Sequence, residues 1–152
     1  MFKLGILAVC FLVATVIAEA QSTAPRPPNI VFFLVDDLGW RDLGCQGSTY
    51  YETPHVDRLA AEGLRFTQAY ADAPNCAPSR ACLMTGQWTP RHGIFTVASA
   101  DRGPSEGRRL ATPKNKTALD RSFVTLPEML RARGYVSAAI GKWHLGAGPE
   151  TQ

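Results

Sequence analysis

Apolar residues along this chain gather into unbroken runs separated by segments in which they recur at helical spacing. The first run, Leu4 to Ile17, follows Lys3 and precedes Ala18-Glu19-Ala20. At about fourteen residues it is short against the roughly 20 that span a bilayer, and the small-x-small pattern fits cleavage before Gln21. Residues 1–20 are therefore expected to be a signal peptide, with an uncleaved membrane anchor as the alternative. A short Pro-rich linker, 21–28, follows. The run Asn29-Ile30-Val31-Phe32-Phe33-Leu34-Val35 reads as a fully buried strand of a parallel sheet and ends at Asp36-Asp37. Leu64 to Ala69 and Tyr135 to Ile140 read as two further strands.

Between these runs the pattern changes to helical. Val56, Leu59 and Ala60 predict a helix from about Pro54 to Glu62, stopped by Gly63. A second helix is expected to open at Cys76, because Pro78 is tolerated in a first turn, the residues through Met84 can continue it, and Gly86 ends it. Thr125, with Glu128 three residues on, predicts a third helix through Leu130 that stops at Gly134. Residues 87–120, rich in Gly, Pro, Arg and Thr, read as irregular and partly exposed. Strands alternating with helices predict an α/β fold: a mainly parallel sheet flanked by helices, formed by residues 29–152. In such sheets ligands gather beyond the carboxyl ends of the strands, where three polar clusters are expected to meet.

Composition changes this picture little. The chain has 152 residues, 45% of them hydrophobic and 19% charged, as in an ordinary globular domain. Its net charge is +3, and loss of residues 1–20 removes one base, Lys3, and one acid, Glu19. Arg102, Arg108 and Arg109 lie among glycines and prolines, in the manner of a solvated loop. Without interleaved aromatics or a recognition motif they argue against a nucleic-acid partner. Asn115-Lys116-Thr117 is a glycosylation acceptor if the host modifies exported proteins, and otherwise a loop. Of four cysteines, Cys10 leaves with the signal, so Cys45, Cys76 and Cys82 remain. No two have the close spacing of a zinc site.

Three clusters carry candidate chemistry. Asp36 and Asp37 would repel each other unless solvated or paired with a cation. On a regular strand they point to opposite faces, so they share one ion only if the chain turns, as Gly39 permits. Their hard oxygens suit calcium or magnesium, and the alternative is an acidic turn in water. Cys76 would sit at a helix N-terminus, which favours anions, with Arg80 about one turn on. Cys76 and Cys82 could equally be ordinary buried thiols. Lys142 and His144, two apart after the third strand, share one side of an extended segment. An ammonium there can hold an anionic oxygen and an imidazole can move a proton, or the two are surface decoration. Trp143 and Leu145 are expected to pack inward. Arg91-His92-Gly93 reads as structural.

The stretch Cys76-Ala77-Pro78-Ser79-Arg80-Ala81-Cys82-Leu83-Met84-Thr85-Gly86 resembles the signature in which sulfatases convert cysteine to formylglycine. With the Asp pair before it and Gly134-Tyr135 through Gly141-Lys142-Trp143-His144 after it, the resemblance covers Asn29 to Gly146. It is to the N-terminal part of the sulfatase family, within the alkaline-phosphatase-like superfamily. The resemblance implies a sulfuric ester hydrolase whose formylglycine hydrate has two hydroxyls on one carbon, one to attack sulfur and one to release sulfate. It implies Asp36 and Asp37 as calcium ligands, in preference to magnesium, together with the oxygen derived from Cys76. Arg80 would hold the formylglycine and neighbouring carboxylates, Lys142 would contact formylglycine and sulfate, and His144 would act on the hydrate.

Implied partners are a sulfate ester substrate and a formylglycine-generating maturation enzyme, with membrane contact only through the signal segment and a periplasmic or secreted destination. Sulfatases also use a later Asp-Asn pair and a further Lys and His, none of which lies before Gln152. The chain is thus expected to be a fragment or truncated product, inactive alone. The alternatives are a related phosphate or phosphonate ester hydrolase, or a catalytically silent product.

Overall fold

A computed structural model of the chain describes residues 26–101 and 103–147. The expected signal, residues 1–20, most of the linker, and Arg102 lie outside the described residues. The chain divides into two units, residues 1–34 and 35–152. In the first, the described residues have no regular secondary structure, and Ile30 to Leu34 are exposed.

Among its described residues the second unit carries four α-helices: α1 (Pro54–Glu62), α2 (Cys76–Thr85), α3 (Thr89–His92) and α4 (Leu126–Arg131). A single 3-10 turn, Gly44–Gln46, precedes them. Pro54 opens α1, and the residues around it are stapled to the 3-10 turn by two side chains. Thr53 Oγ1 accepts the Gly44 N–H at 2.8 Å, and Asp57 Oδ1 accepts the Cys45 N–H at 2.7 Å. At α4 the Thr125/Glu128 capping box forms, with Glu128 accepting both the backbone N–H and the hydroxyl of Thr125. Helix α3 interrupts the segment expected to be irregular. Pro90 in its first turn and left-handed Gly93 after it are the helix signals that were there to be read.

The three expected strands are not seen among the described residues. The described residues contain no strand, and Phe33, Leu64, Phe66, Val136 and Ile140 are exposed. A central parallel strand is held by ladder hydrogen bonds to a neighbour on each side and by layers over both faces. An apolar run supplies the composition for this but not the partners, and among the described residues these runs have no ladder partner.

The core lies around α2 instead. Ala77, Ala81, Ile94, Leu119 and Leu145 are buried together, with Met84, Val97, Phe123 and Trp143 packed against them. Small residues on one face of α2 let the neighbouring loops approach closely. The Leu119 N–H donates to the Leu145 carbonyl at 3.0 Å, and the Lys116 N–H to that of Gly93 at 2.8 Å. Trp143 and Leu145 thus pack inward as expected, anchoring the segment that carries Lys142 and His144. No described helix is long and apolar enough to cross a membrane.

Candidate active site

The helix that presents Cys76 begins at that residue. Asn75 is extended (φ −122°, ψ 158°), Ser79 donates the first backbone bond to the Asn75 carbonyl at 3.0 Å, and Gly86 ends the helix at φ 64°. Ala77, Pro78, Arg80, Ala81 and Cys82 are buried, whereas Cys76 is only half-buried at the free end of the dipole.

Asp36 and Asp37 meet Cys76 through a turn. Asp37 itself takes a left-handed conformation, φ 56°, which Asp tolerates better than most side chains. The turn expected at Gly39 is therefore made two residues earlier. Gly39 is needed for another contact: its N–H donates to Asp42 Oδ2 at 2.7 Å, and a Cβ there would stand 2.6 Å from that oxygen. The Cys76 thiol faces Asp37 Oδ1 at 3.9 Å, and one ligand atom from each of Asp36, Asp37 and Cys76 lies within 4.8 Å of the others. Two carboxylates suit a hard divalent cation, whereas a thiol does not; an oxygen on residue 76 would make all three donors hard.

Two cations bind Asp36. Lys142 Nζ donates to Oδ2 at 2.6 Å and Arg80 Nη2 to Oδ1 at 3.2 Å, while Arg80 Nη1 donates to the Lys142 carbonyl at 2.6 Å. The Lys142 hydrogen bond, and then that of Arg80, hold the Asp36 carboxyl below its ordinary value of 3.8. Lys142 is correspondingly raised above 10.5, chiefly by Asp36 and to a lesser extent by Cys76. Both groups are charged at neutral pH, so the two cations at the site are balanced by the carboxylates of Asp36 and Asp37. The N-terminus of α2 itself favours an anion at residue 76.

His144 follows on the same segment with a left-handed backbone, φ 62°. Its Nδ1 is buried and has no hydrogen-bond partner among the described residues, as is true of Arg80 Nε. Asp36, Asp37, Cys76, Arg80 and Lys142 are thus brought into one connected group, and His144 follows Lys142 on a segment anchored by buried Leu145. Cys45 and Cys82 are both free thiols. Cys82 Sγ lies 3.4 Å from Nε2 of His92, whose Nδ1 accepts the Ile94 N–H at 3.1 Å. His92 is fully buried, and this contact joins α3 to the helix of Cys76. The sequence pattern marked His92 as structural without indicating its partner. It gave no sign of the bonds made by Asn115.

Comparison with known proteins adds an independent line. The family model described as Sulfatase matches residues 28–152. N-acetylgalactosamine-6-sulfatase of Homo sapiens is 45% identical over 130 residues, which cover 85% of this chain and 24% of that protein. Steryl-sulfatase of Mus musculus is 44% identical over 133 residues, 81% of this chain and 19% of that protein. Arylsulfatase A of Homo sapiens is 45% identical over 125 residues, 82% and 22% respectively. The chain spans only about a quarter, or less, of the length of these curated relatives. The family match runs continuously from before Asp36 to beyond His144, and the chain belongs to the sulfatase family.

Proposed function

We propose that the intact protein hydrolyses sulfate esters to an alcohol and sulfate, with residue 76 acting in its formylglycine form. The observation that carries this reading is the convergence on Cys76 of Asp36, Asp37, Arg80 and Lys142 in a chain of this family. When present, the aldehyde hydrate supplies two hydroxyls on one carbon, one to displace the alcohol from sulfur and one to expel sulfate as the carbonyl returns. A calcium ion held by Asp36, Asp37 and the oxygen of residue 76 would add positive charge against the ester oxygens.

The chain's own groups do the rest. The Lys142 ammonium, beside Cys76, holds a sulfate oxygen and neutralises charge that grows as the ester breaks. Arg80 braces Asp36 and the Lys142 backbone at once, so carboxylate and ammonium keep one relative position. His144 takes the proton from the hydrate. Its place two residues beyond Lys142 supports that role, and its Nδ1 makes no hydrogen bond among the described residues that would hold it elsewhere.

Domain organisation and destination belong to the same proposal. Residues 1–20 export the protein to a periplasmic or secreted location, and residues 29–152 form the N-terminal part of a catalytic domain. Family membership implies an alkaline-phosphatase-like α/β fold for that domain. The relatives are named for an amino sugar, a sterol and an aryl alcohol. The sulfate ester is what these names share, and it defines the substrate class.

The test begins with the peptide that contains residue 76, after co-expression with a maturation enzyme. Its mass should show conversion of the thiol to an aldehyde; an unmodified thiol throughout would overturn the reading. Matched aryl sulfate and aryl phosphate esters then separate sulfatase from phosphatase chemistry, with faster turnover of the sulfate expected.

A further inference from the structure

The side chain of Asn115 lies far along the chain from Cys76 and nevertheless governs a loop bonded to the residue before it. Its Oδ1 accepts the N–H groups of Phe95 at 2.7 Å and Thr96 at 3.1 Å. Its Nδ2 donates to the carbonyls of Thr96 at 3.1 Å and Ala98 at 2.5 Å. A carboxamide has two donor hydrogens and an oxygen with two lone pairs, so every bond it can make is made. Reversing the amide would set oxygen against carbonyls and NH2 against N–H groups, so the network determines its orientation. Residues 95–98 are clamped in one conformation as a result.

The clamp is connected to the nucleophile position. Thr96 Oγ1 accepts the Asn75 Nδ2–H at 2.9 Å. Asn75 occupies the N-cap position of α2, directly before Cys76, and its side chain makes no capping bond to the helix. An Asn at this position ordinarily turns back to an N–H of the first turn. Here it reaches outward to Thr96, so the entry into the helix is held from outside. The same loop reaches the other half of the site, since Leu119 binds the carbonyl of Leu145, the residue after His144. Residues 115–119 therefore tie the two segments that carry the candidate chemistry.

We propose that Asn115 is a positioning residue for residue 76, acting through Thr96 and Asn75 to set the direction in which α2 presents its first side chain. The inference rests on the reading of residue 76 as the nucleophile precursor, but it is tested without turnover. In unconverted protein, the alkylation rate of Cys76 by iodoacetamide is followed by peptide mass spectrometry. Protection of buried Cys82 reports whether the fold is intact.

Thr96→Val removes the hydroxyl and keeps the backbone bonds, and it should speed alkylation of Cys76 about fivefold, the population shift controlled by one neutral hydrogen bond. Thr96→Ser should restore the original rate, and Asn115→Asp, which loses both donors and sets a carboxylate oxygen against the Thr96 and Ala98 carbonyls, should speed alkylation at least as much as Thr96→Val. An unchanged rate in Thr96→Val with Cys82 protected overturns the proposal, as does a Thr96→Ser rate equal to that of Thr96→Val. If Thr96→Val exposes Cys82, Asn75→Ala at an exposed position decides the matter: acceleration supports the relay and an unchanged rate refutes it. A protein that never forms the aldehyde would defeat the sulfatase reading and leave these rates unaffected.

Discussion

Lys142 Nζ stands 2.6 Å from Asp36 Oδ2 and joins two residues 106 positions apart in sequence. The other oxygen of the same carboxylate is bound by Arg80. Removing Lys142 therefore takes a positive charge from beside Cys76 while Asp36 keeps one partner. Lys142→Ala in the intact, converted protein should lower turnover of an aryl sulfate by about 10²–10³, the scale of losing one charge-stabilising donor. The pair is partly exposed, so the melting temperature should hardly move. Equal turnover in variant and parent would remove Lys142 from the site.

Arg80 has the opposite profile. Its side chain is 11% exposed, and two of its nitrogens reach separate acceptors, Asp36 Oδ1 and the Lys142 carbonyl. A lysine carries all its donors on one nitrogen and cannot span both. Arg80→Lys should cost about 1.5–3 kcal/mol, as for loss of one charge-assisted hydrogen bond. Urea titration should show a lower midpoint at unchanged slope. A midpoint equal to that of the parent would mean that the fork contributes nothing.

The contact between Cys82 and His92 predicts a pH dependence of stability. Burial, and secondarily Lys116, hold His92 below its ordinary value of 6.5. Nδ1 accepts the Ile94 N–H, so adding a proton there breaks a buried bond. Below 6.5 the unfolded chain takes up a proton that the folded protein resists. Stability is therefore complete above that value and declines as the pH falls through the window beneath it. Burial raises the Cys82 thiol above its ordinary 9.0, so its contribution is complete below 9.0 and declines as the pH rises through the folded value. Melting curves at pH 5 and 7 should differ less for His92→Phe than for the parent. Equal differences would exclude His92 as the source.

Asn115 begins a glycosylation sequon, yet both hydrogens of its amide nitrogen are engaged by the carbonyls of Thr96 and Ala98. A sugar on that nitrogen would replace one hydrogen and displace the clamped loop. Protein secreted from a glycosylating host should carry an unmodified Asn115 in its folded, protease-resistant fraction, read by peptide mass. A folded fraction glycosylated at this residue would contradict the geometry.

Local signals were legible wherever a short segment carries its own instructions. Pro54, the Thr125/Glu128 pair and the Pro78 to Gly86 stretch predict helices whose observed bounds agree, because caps and stops act within a turn of the residues that encode them. The site was legible as three clusters for the same reason. Their contacts were not, since Lys142 meets Asp36 across 106 residues and no local pattern reports that distance. The Asn115 bonds were illegible too, because a loop carboxamide has the same sequence appearance whether it is solvated or clamped.

Residue order alone determined the helices, the apolar runs, the candidate nucleophile and its charged neighbours, since each is a property of a few adjacent side chains. Tertiary structure decided which of these meet. It turned the chain at Asp37 instead of Gly39, placed Arg80 and Lys142 on one carboxylate, and packed the core on α2. It also left Phe33, Val136 and Ile140 exposed and unpaired among the described residues. The physical reason is common to all of these: a helix closes its hydrogen bonds within itself, whereas a sheet, an ion pair or a loop clamp closes them only against a partner brought from elsewhere in the chain.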